Sequence, residues 1–247
     1  SRKILFFSAR NRDDNYPFLV KYFENKIEIL PIGLDPRSIE EAENFDQRAL
    51  RQELGIHPDS VNVAVLGQLY RPKGQHFAIK ALARLVNEHP RLQLYVVGDH
   101  VIEEYRSYKK ELEELVEELG LSNRVHFTGW RMDALRIVKL MDIVVHPSLS
   151  EGFGRAVLES MALGKPVVAS AVGGLREAIV SGQNGFLVDP GDVEAIAACW
   201  RKLLTDEALR ESLGRNARQT VFSDYLIDDK VKRLESIWKS MAQEHRI

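Results

Sequence analysis

The chain has 247 residues, and its 34 Lys+Arg against 36 Asp+Glu leave a formal net charge of −2. Its content of 45% apolar and 28% charged residues excludes a disordered chain, and the even charge balance excludes a strongly basic nucleic-acid surface. The single cysteine, Cys199, cannot close an internal disulfide, and no Cys/His cluster has zinc spacing, so no metal site is expected. The cysteine is expected in the core of a protein from a reducing cytoplasm. No apolar run approaches the roughly 18 residues of a spanning helix. Ser1-Arg2-Lys3 opens the chain without an apolar stretch, so no signal peptide is expected.

Strands and helices alternate along most of the chain. Ile4–Phe7 and Ile27–Leu30 read as short strands, and Pro31-Ile32-Gly33-Leu34-Asp35-Pro36 as a turn or linker. Val61–Leu66 is a strand ended by Gly67, and the apolar spacing of Phe77, Ile79, Leu82, Leu85 and Val86 predicts a helix over 75–89. Leu92–Val97 is the next strand, stopped by Gly98-Asp99, and a charged, solvated helix runs over 103–119. Val125–Thr128 is a strand before Gly129, 134–141 a helix, and Ile143–His146 a strand before Pro147. A helix over 155–163, a strand over 166–169, a helix near 175–180, a strand over 185–188 and a helix over 193–204 complete the series. Near the end, Val231, Leu234, Trp238 and Met241 fall on one helical stripe, with Trp238 expected to pack.

Short apolar strands separated by single helices imply an α/β fold: a Rossmann-like parallel sheet with helices on both faces. Ligands of such sheets bind outside the carboxyl ends of the strands. The places to search are therefore the residues after Leu66, Val97, Thr128 and His146. After the last of these, Glu151 and Glu159 stand eight positions apart, with Gly152 and Gly154 between them. The glycines permit turns that a Cβ would block. A helix starting near Arg155 would turn its first amides toward the strand ends, where a phosphate could sit. Carboxylates suit the vicinal hydroxyls of a sugar or ribose. On spacing alone, a tight turn followed by a solvated helix glutamate explains the same residues equally well. Arg155 is open to two readings, an anion partner or a solvated side chain. His146 is expected to be a satisfied core histidine, and His57, His76, His89 and His100 are expected at the surface.

The segment Pro147-Ser148-Leu149-Ser150-Glu151-Gly152-Phe153-Gly154, followed by Glu159-Ser160-Met161-Ala162-Leu163-Gly164-Lys165-Pro166-Val167-Val168-Ala169, resembles the family-4 retaining glycosyltransferases. Their signature is two glutamates separated by seven residues, as Glu151 and Glu159 are here. Gly67-Gln68-Leu69-Tyr70-Arg71-Pro72-Lys73-Gly74 is similar to the family's phosphate loop. Val97-Gly98-Asp99, Phe127-Thr128-Gly129, Val172-Gly173-Gly174 and Asn184-Gly185-Phe186-Leu187-Val188 follow in the family's order.

The resemblance implies the GT-B architecture, in which two Rossmann-like domains face each other across a cleft. It maps this chain onto the C-terminal, donor-binding half. Residues 1–26 would be the tail of the N-terminal domain, 27–45 the interdomain linker, 46–225 the nucleotide-sugar-binding domain and 226–247 a C-terminal amphipathic helix. Glu151 would meet the donor sugar as the catalytic residue, Glu159 the ribose hydroxyls and Lys73 the diphosphate. The backbone of Gly152, Phe153, Gly154, Arg155 and Ala156 would approach sugar and diphosphate, with Gly67 in the phosphate loop. Gly129 and Trp130 would edge the base pocket. Where the family often has an arginine this chain has the neutral Gln68, and Arg71 is the nearest replacement.

The expected activity is transfer of a sugar from a nucleoside-diphosphate sugar to a hydroxyl of a carbohydrate, lipid or small-molecule acceptor, with retention. No cofactor or metal is implied beyond the donor itself. The partners implied are the donor, the acceptor and a facing N-terminal domain, without nucleic acid. The implied location is cytoplasmic, free or peripheral at the inner membrane face. The isolated half is expected to be incompetent alone. A non-catalytic module that binds a nucleotide-sugar or a partner is the alternative, favoured by Gln68 and opposed by the Glu151/Glu159 pair. A dinucleotide oxidoreductase is disfavoured, because Gly67-Gln68-Leu69 does not supply Gly-x-Gly-x-x-Gly.

Overall fold

A computed structural model of the chain describes residues 3–100 and 102–243. Two short strands, β1 (Ile4–Phe6) and β2 (Ile27–Ile29), pair in parallel and flank the helices Ala9–Asn15 and Pro17–Phe23. The main sheet contains β3 (Val61–Leu66), β4 (Leu92–Val97), β5 (Val125–Gly129), β6 (Ile143–His146), β7 (Val167–Ser170) and β8 (Phe186–Val188). Its order is β5-β4-β3-β6-β7-β8, and every pairing is parallel.

Strand alternation divides the core between two faces. Val63, Val65, Leu94, Val96 and Val145 pack beneath the helices Gln75–Ala83, Arg106–Glu118 and Val193–Thr205. Ala64, Leu66, Tyr95, Val97 and Val144 pack beneath Ala134–Leu140 and Arg155–Ala162. Burial on both faces explains why the central strands β3, β6 and β7 show no sustained polar alternation, whereas the edge strand β5, Val-His-Phe-Thr-Gly, does. The chain winds outward from β3 through β4 to β5, then returns to β6 on the other side of β3. The crevice outside the ends of β3 and β6 is therefore the switch point of a doubly wound sheet.

Close backbone approaches draw the loops together at that end of the sheet. Gly98 has φ +139°, and a Cβ there would stand 2.1 Å from the Gly67 carbonyl oxygen. Gly74 has φ +73°, and a Cβ there would stand 2.1 Å from the Pro147 carbonyl oxygen. The Leu149 amide donates to the Pro72 carbonyl at 2.7 Å, tying the loops after β3 and β6 together.

The charged helix expected from 103 begins as a 3₁₀ turn, Glu103–Tyr105, and becomes α-helical at Arg106. The helices Pro36–Glu43, Gln47–Glu53 and Glu207–Asp224 had no expected counterpart. In the last of these, Gly214 lies where a Cβ would stand 2.1 Å from the Gly164 carbonyl oxygen, so its helix rests directly on the turn before β7. The C-terminal helix Ile227–Gln243 is present, but its buried stripe differs from the expected one. Ile237 is 5% exposed, whereas Trp238, expected to pack, is 61% exposed. Leu34 bridges Leu226, its amide donating to Tyr225 at 2.8 Å while the Ile227 amide donates back to it at 2.9 Å. Arg233 then reaches Glu28 at 2.9 Å, so the terminal helix returns to the β1–β2 unit. Among the described residues no helix is long and apolar enough to cross a membrane.

Substituting Gly98 by Ala is expected to cost about 2 kcal/mol or more, since both the dihedral and the Gly67 backbone oppose a Cβ. Gly120→Ala, at φ +66° with open space around it, is expected to cost only about 1–2 kcal/mol. Urea unfolding of both variants measures the contrast.

Candidate functional site

At this end of the sheet lie a largely buried cluster of charge and a cavity. The cluster is built by the loop after β3 and the end of β6. The Lys73 Nζ donates to Glu151 Oε2 at 2.6 Å, and His146 Nε2 lies 2.9 Å from the same oxygen. A carboxylate oxygen only accepts, so the His146 Nε2 carries the proton of that bond. The Ser148 hydroxyl stands 3.1 Å from the same ring nitrogen. The other carboxylate oxygen, Glu151 Oε1, accepts from the Gly152 amide at 3.2 Å. The Glu151 side chain is only 14% exposed. Burial pushes its pKa up, but the hydrogen bonds and charges of His146 and Lys73 outweigh burial and hold it at about 2.

The cavity, of about 420 Å³, is lined by the turn after β3 at Gly67 and Gln68 and by Asp99 beyond β4. Trp130 and Met132 beyond β5 form another wall, and Ala156 and Glu159 on the helix Arg155–Ala162 close it. Trp130 is 66% exposed, which leaves its ring surface open. The Asp99 carboxyl is raised by burial and lowered by the His100 amide, the His100 ring and Lys109, which together win and keep it ionised. Glu159 accepts from Arg155 Nε at 2.8 Å. Arg155 is thus largely solvated yet paired, and it faces a carboxylate one turn along its own helix.

Glu151, Lys73, Gly67, Gln68, Trp130, Ala156 and Glu159 therefore lie together at one end of the sheet. Gly154, at φ +85°, opens the helix. The Gly152 carbonyl accepts from Gly174 at 3.1 Å. Gly129, at φ +70°, accepts from the Gly98 amide at 3.0 Å and sits beneath the Asp99 carboxylate. Phe153 turns its ring into the core against Gly174 and Tyr225 and offers a ligand only its backbone. Arg71 pairs with Glu111 on the helix Arg106–Glu118 and stands over the Tyr108 ring at 5.4 Å; like Lys73 and Glu151, it lies after a strand end without lining the cavity itself. His76 is a correction, half-buried beside the Tyr108 hydroxyl at 2.7 Å, with burial and then Lys80 and Arg71 pushing it down to about 4.

The role of His146 was not visible in sequence. It is buried and satisfied, as a core histidine would be, but its partner is Glu151. The signal was its position at the carboxyl end of β6, five residues before that glutamate.

A family model described as "Glycosyl transferases group 1" matches residues 46–220. The chain belongs to that family. It is 31% identical over 219 residues to an uncharacterised glycosyltransferase of Methanocaldococcus jannaschii, covering 87% of this chain and 54% of the relative. HepE of Anabaena, solved with UDP and glucose, superposes with a TM-score of 0.85 at 27% identity, over 97% of this chain and 63% of that one. The C-terminal domain of the group 1 family protein LpcC from Francisella tularensis is matched over its whole length and 79% of this chain, with a TM-score of 0.69 and 30% identity. The chain spans about half the length of the curated relatives it matches. As the fold of its solved relatives implies, its sheet is that of the GT-B glycosyltransferases.

The lowered pKa of Glu151 has a consequence for stability. Its contribution is fully present above the ordinary value of 4.5 and is lost as pH falls through about 2. Between pH 7 and pH 3 this one group should remove about 2 kcal/mol of stability. Glu151→Gln is expected to flatten the pH dependence by that amount, as measured by chemical unfolding at the two pH values.

Proposed function

We propose that this chain is the C-terminal, donor-binding portion of a family-4 retaining glycosyltransferase, taking a sugar from a nucleoside-diphosphate sugar to an acceptor hydroxyl. The observation that carries the reading is the buried, ionised Glu151, held by Lys73 and His146 beside a cavity that ends at Glu159. In this reading the cavity takes the nucleoside. Trp130 flanks the base, and Glu159 accepts from the two ribose hydroxyls. The diphosphate lies between Gly67 and the first-turn amides of the helix at Arg155–Ala162, with Lys73 as its cation. Glu151 meets the sugar, where an ionised carboxylate supports positive charge developing at the anomeric carbon. The solved complex of HepE with UDP and glucose supports a nucleotide-sugar ligand.

Residues 1–26 then belong to a facing N-terminal domain and 27–45 to the crossover, and the helix Ile227–Gln243 crosses back; residues 244–247 of the expected terminal helix lie outside the described residues. The length of the relatives beyond this chain supports that division. The facing domain would hold the acceptor, a carbohydrate, lipid or small molecule. Positioning accounts for about 7–11 kcal/mol of a barrier of this kind. The 247-residue chain alone is therefore expected to bind donor without acceptor-dependent turnover at the full enzyme's rate.

Calorimetric titration of the chain with UDP, ADP and GDP tests the reading. Binding of at least one is expected, and silence with all three at millimolar concentration would overturn it. Glu159→Ala should weaken the bare nucleotide by roughly 1.5–3 kcal/mol, the value of hydrogen bonds to a charged group. Glu151→Ala should not weaken the bare nucleotide, since it leaves Lys73 free for the diphosphate, and equal losses for both would reverse the roles.

Gln68→Arg is expected to tighten the nucleoside diphosphate about tenfold or more by supplying a second cation to the diphosphate. The same titration reads it, with the nucleoside monophosphate as the comparison that should change less.

A further inference from the structure

A short helix from the N-terminal segment, Ala9–Asn15, lies against the turns that carry Glu151. Ser8 caps it and is fully buried, and its hydroxyl accepts from the Asn11 amide at 2.9 Å. The same hydroxyl donates to Glu177 Oε1 at 2.7 Å, and the Arg10 amide donates to that oxygen at 2.8 Å. One carboxylate oxygen thus receives two donors from the start of this helix. Two further links lie alongside. Asn11 Nδ2 donates to the main-chain carbonyl of Glu151 at 3.2 Å, and Arg176 pairs with Asp14.

The Glu151 carbonyl is enclosed from the other side as well. Gly173 approaches it so closely that a Cβ would stand 2.0 Å away, and the Gly174 amide donates to Gly152 at 3.1 Å. Gly173 and Gly174 lead directly into the turn of helix that bears Glu177. The backbone of Glu151 is consequently clamped between Asn11 and Gly173, and Glu177 joins the two jaws. None of Ser8, Asn11 or Glu177 lines the cavity beside Gly67 and Glu159.

We infer that Ser8, Asn11 and Glu177 form a latch that couples the N-terminal segment to the position of Glu151, making Glu177 and Asn11 positioning residues. The inference rests on Glu151 being the group that meets the donor sugar. The latch sets the height of the Glu151 backbone in the crevice, while Lys73 and His146 set the direction of its carboxylate. Opening it frees the segment 8–15 and loosens the turn at 150–154 together, without touching the nucleoside cavity.

Amide hydrogen exchange on the whole chain tests the coupling directly, independent of any ligand. Glu177→Ala should speed exchange in peptides covering 8–15 and 150–154 by about tenfold, the effect of losing hydrogen bonds to a charged acceptor. Glu177→Gln, which keeps an amide oxygen for Ser8 and Arg10, should stay close to wild type. Asn11→Ala should speed exchange at 150–154 while leaving Glu177 and its bonds in place. Exchange at 150–154 unchanged in both Glu177→Ala and Asn11→Ala would overturn the latch. So would uniform acceleration across the sheet in both variants, which marks a merely structural role.

Titration with UDP and UDP-glucose adds the functional arm. The latch predicts that Asn11→Ala leaves UDP affinity within about twofold and lowers the added affinity from glucose. Loss of UDP affinity in equal measure would contradict it. Absence of binding by wild type would sink the proposed function, and the exchange result would then stand as the judgement on the latch itself.

Discussion

Burying a carboxylate is the constraint from which the organisation of this crevice follows. At 14% exposure, Glu151 loses most of its hydration. An isolated charge in that position would take up a proton. It stays ionised because an ammonium and an imidazole converge on one oxygen and a backbone amide on the other. These donors come from separated parts of the chain, since Lys73 follows β3 whereas His146 ends β6. The two loops must therefore be held within a hydrogen bond of each other. Gly74 against Pro147 and the Leu149–Pro72 hydrogen bond provide that approach. Parallel pairing of β3 with β6 places both strand ends at the same edge, and the doubly wound order leaves the space outside them free of a crossing helix.

The same logic distinguishes the two glutamates that the sequence makes look alike. Glu159 sits on a helix, paired with a solvated arginine one turn away. Such a pair costs little to open, so the carboxylate is free to exchange Arg155 for hydroxyl donors. Glu151 sits on a turn, and both its side chain and its backbone are held by neighbours that are themselves partly buried. One carboxylate is available and the other is fixed. On the proposed reading, this division suits a residue that adapts to a ribose and a residue that must hold its place near a reacting carbon.

The strands of the main sheet were legible because most are apolar runs stopped by a glycine, a proline or a serine, and that punctuation survives in sequence; their order in the sheet was not legible, since it depends on contacts between distant segments. The site loops were legible for a related reason, since a close backbone approach leaves only glycine as an option at Gly74, Gly98 and Gly173. Helices such as Pro36–Glu43 and Glu207–Asp224 were not legible. Their apolar residues are few, and Gly214 interrupts the second at the point where it meets the backbone of Gly164. The face of the terminal helix was misread because Val231 and Trp238 share a helical stripe, whereas Leu34 and Glu28 fix the rotation that buries Ile237 instead. The partners of Arg71 were not legible for a similar reason. Proximity in sequence to Lys73 said nothing of Tyr108 and Glu111, which arrive from a helix some forty residues away and take the guanidinium.

The pairing of Arg71 with Glu111 bears on the cluster at Glu151. With Gln68 neutral and Arg71 engaged elsewhere, Lys73 is the cation that the loop after β3 brings to this part of the crevice, and it already neutralises Glu151. On the proposed reading an arriving diphosphate competes with Glu151 for the same ammonium. The closer Lys73 moves to the phosphates, the more of the work of keeping Glu151 ionised falls on His146. The histidine is buried and hydrogen-bonded to the carboxylate through Nε2, with the Ser148 hydroxyl beside the same nitrogen. A second partner for the carboxylate is what allows one lysine to serve two anions in turn.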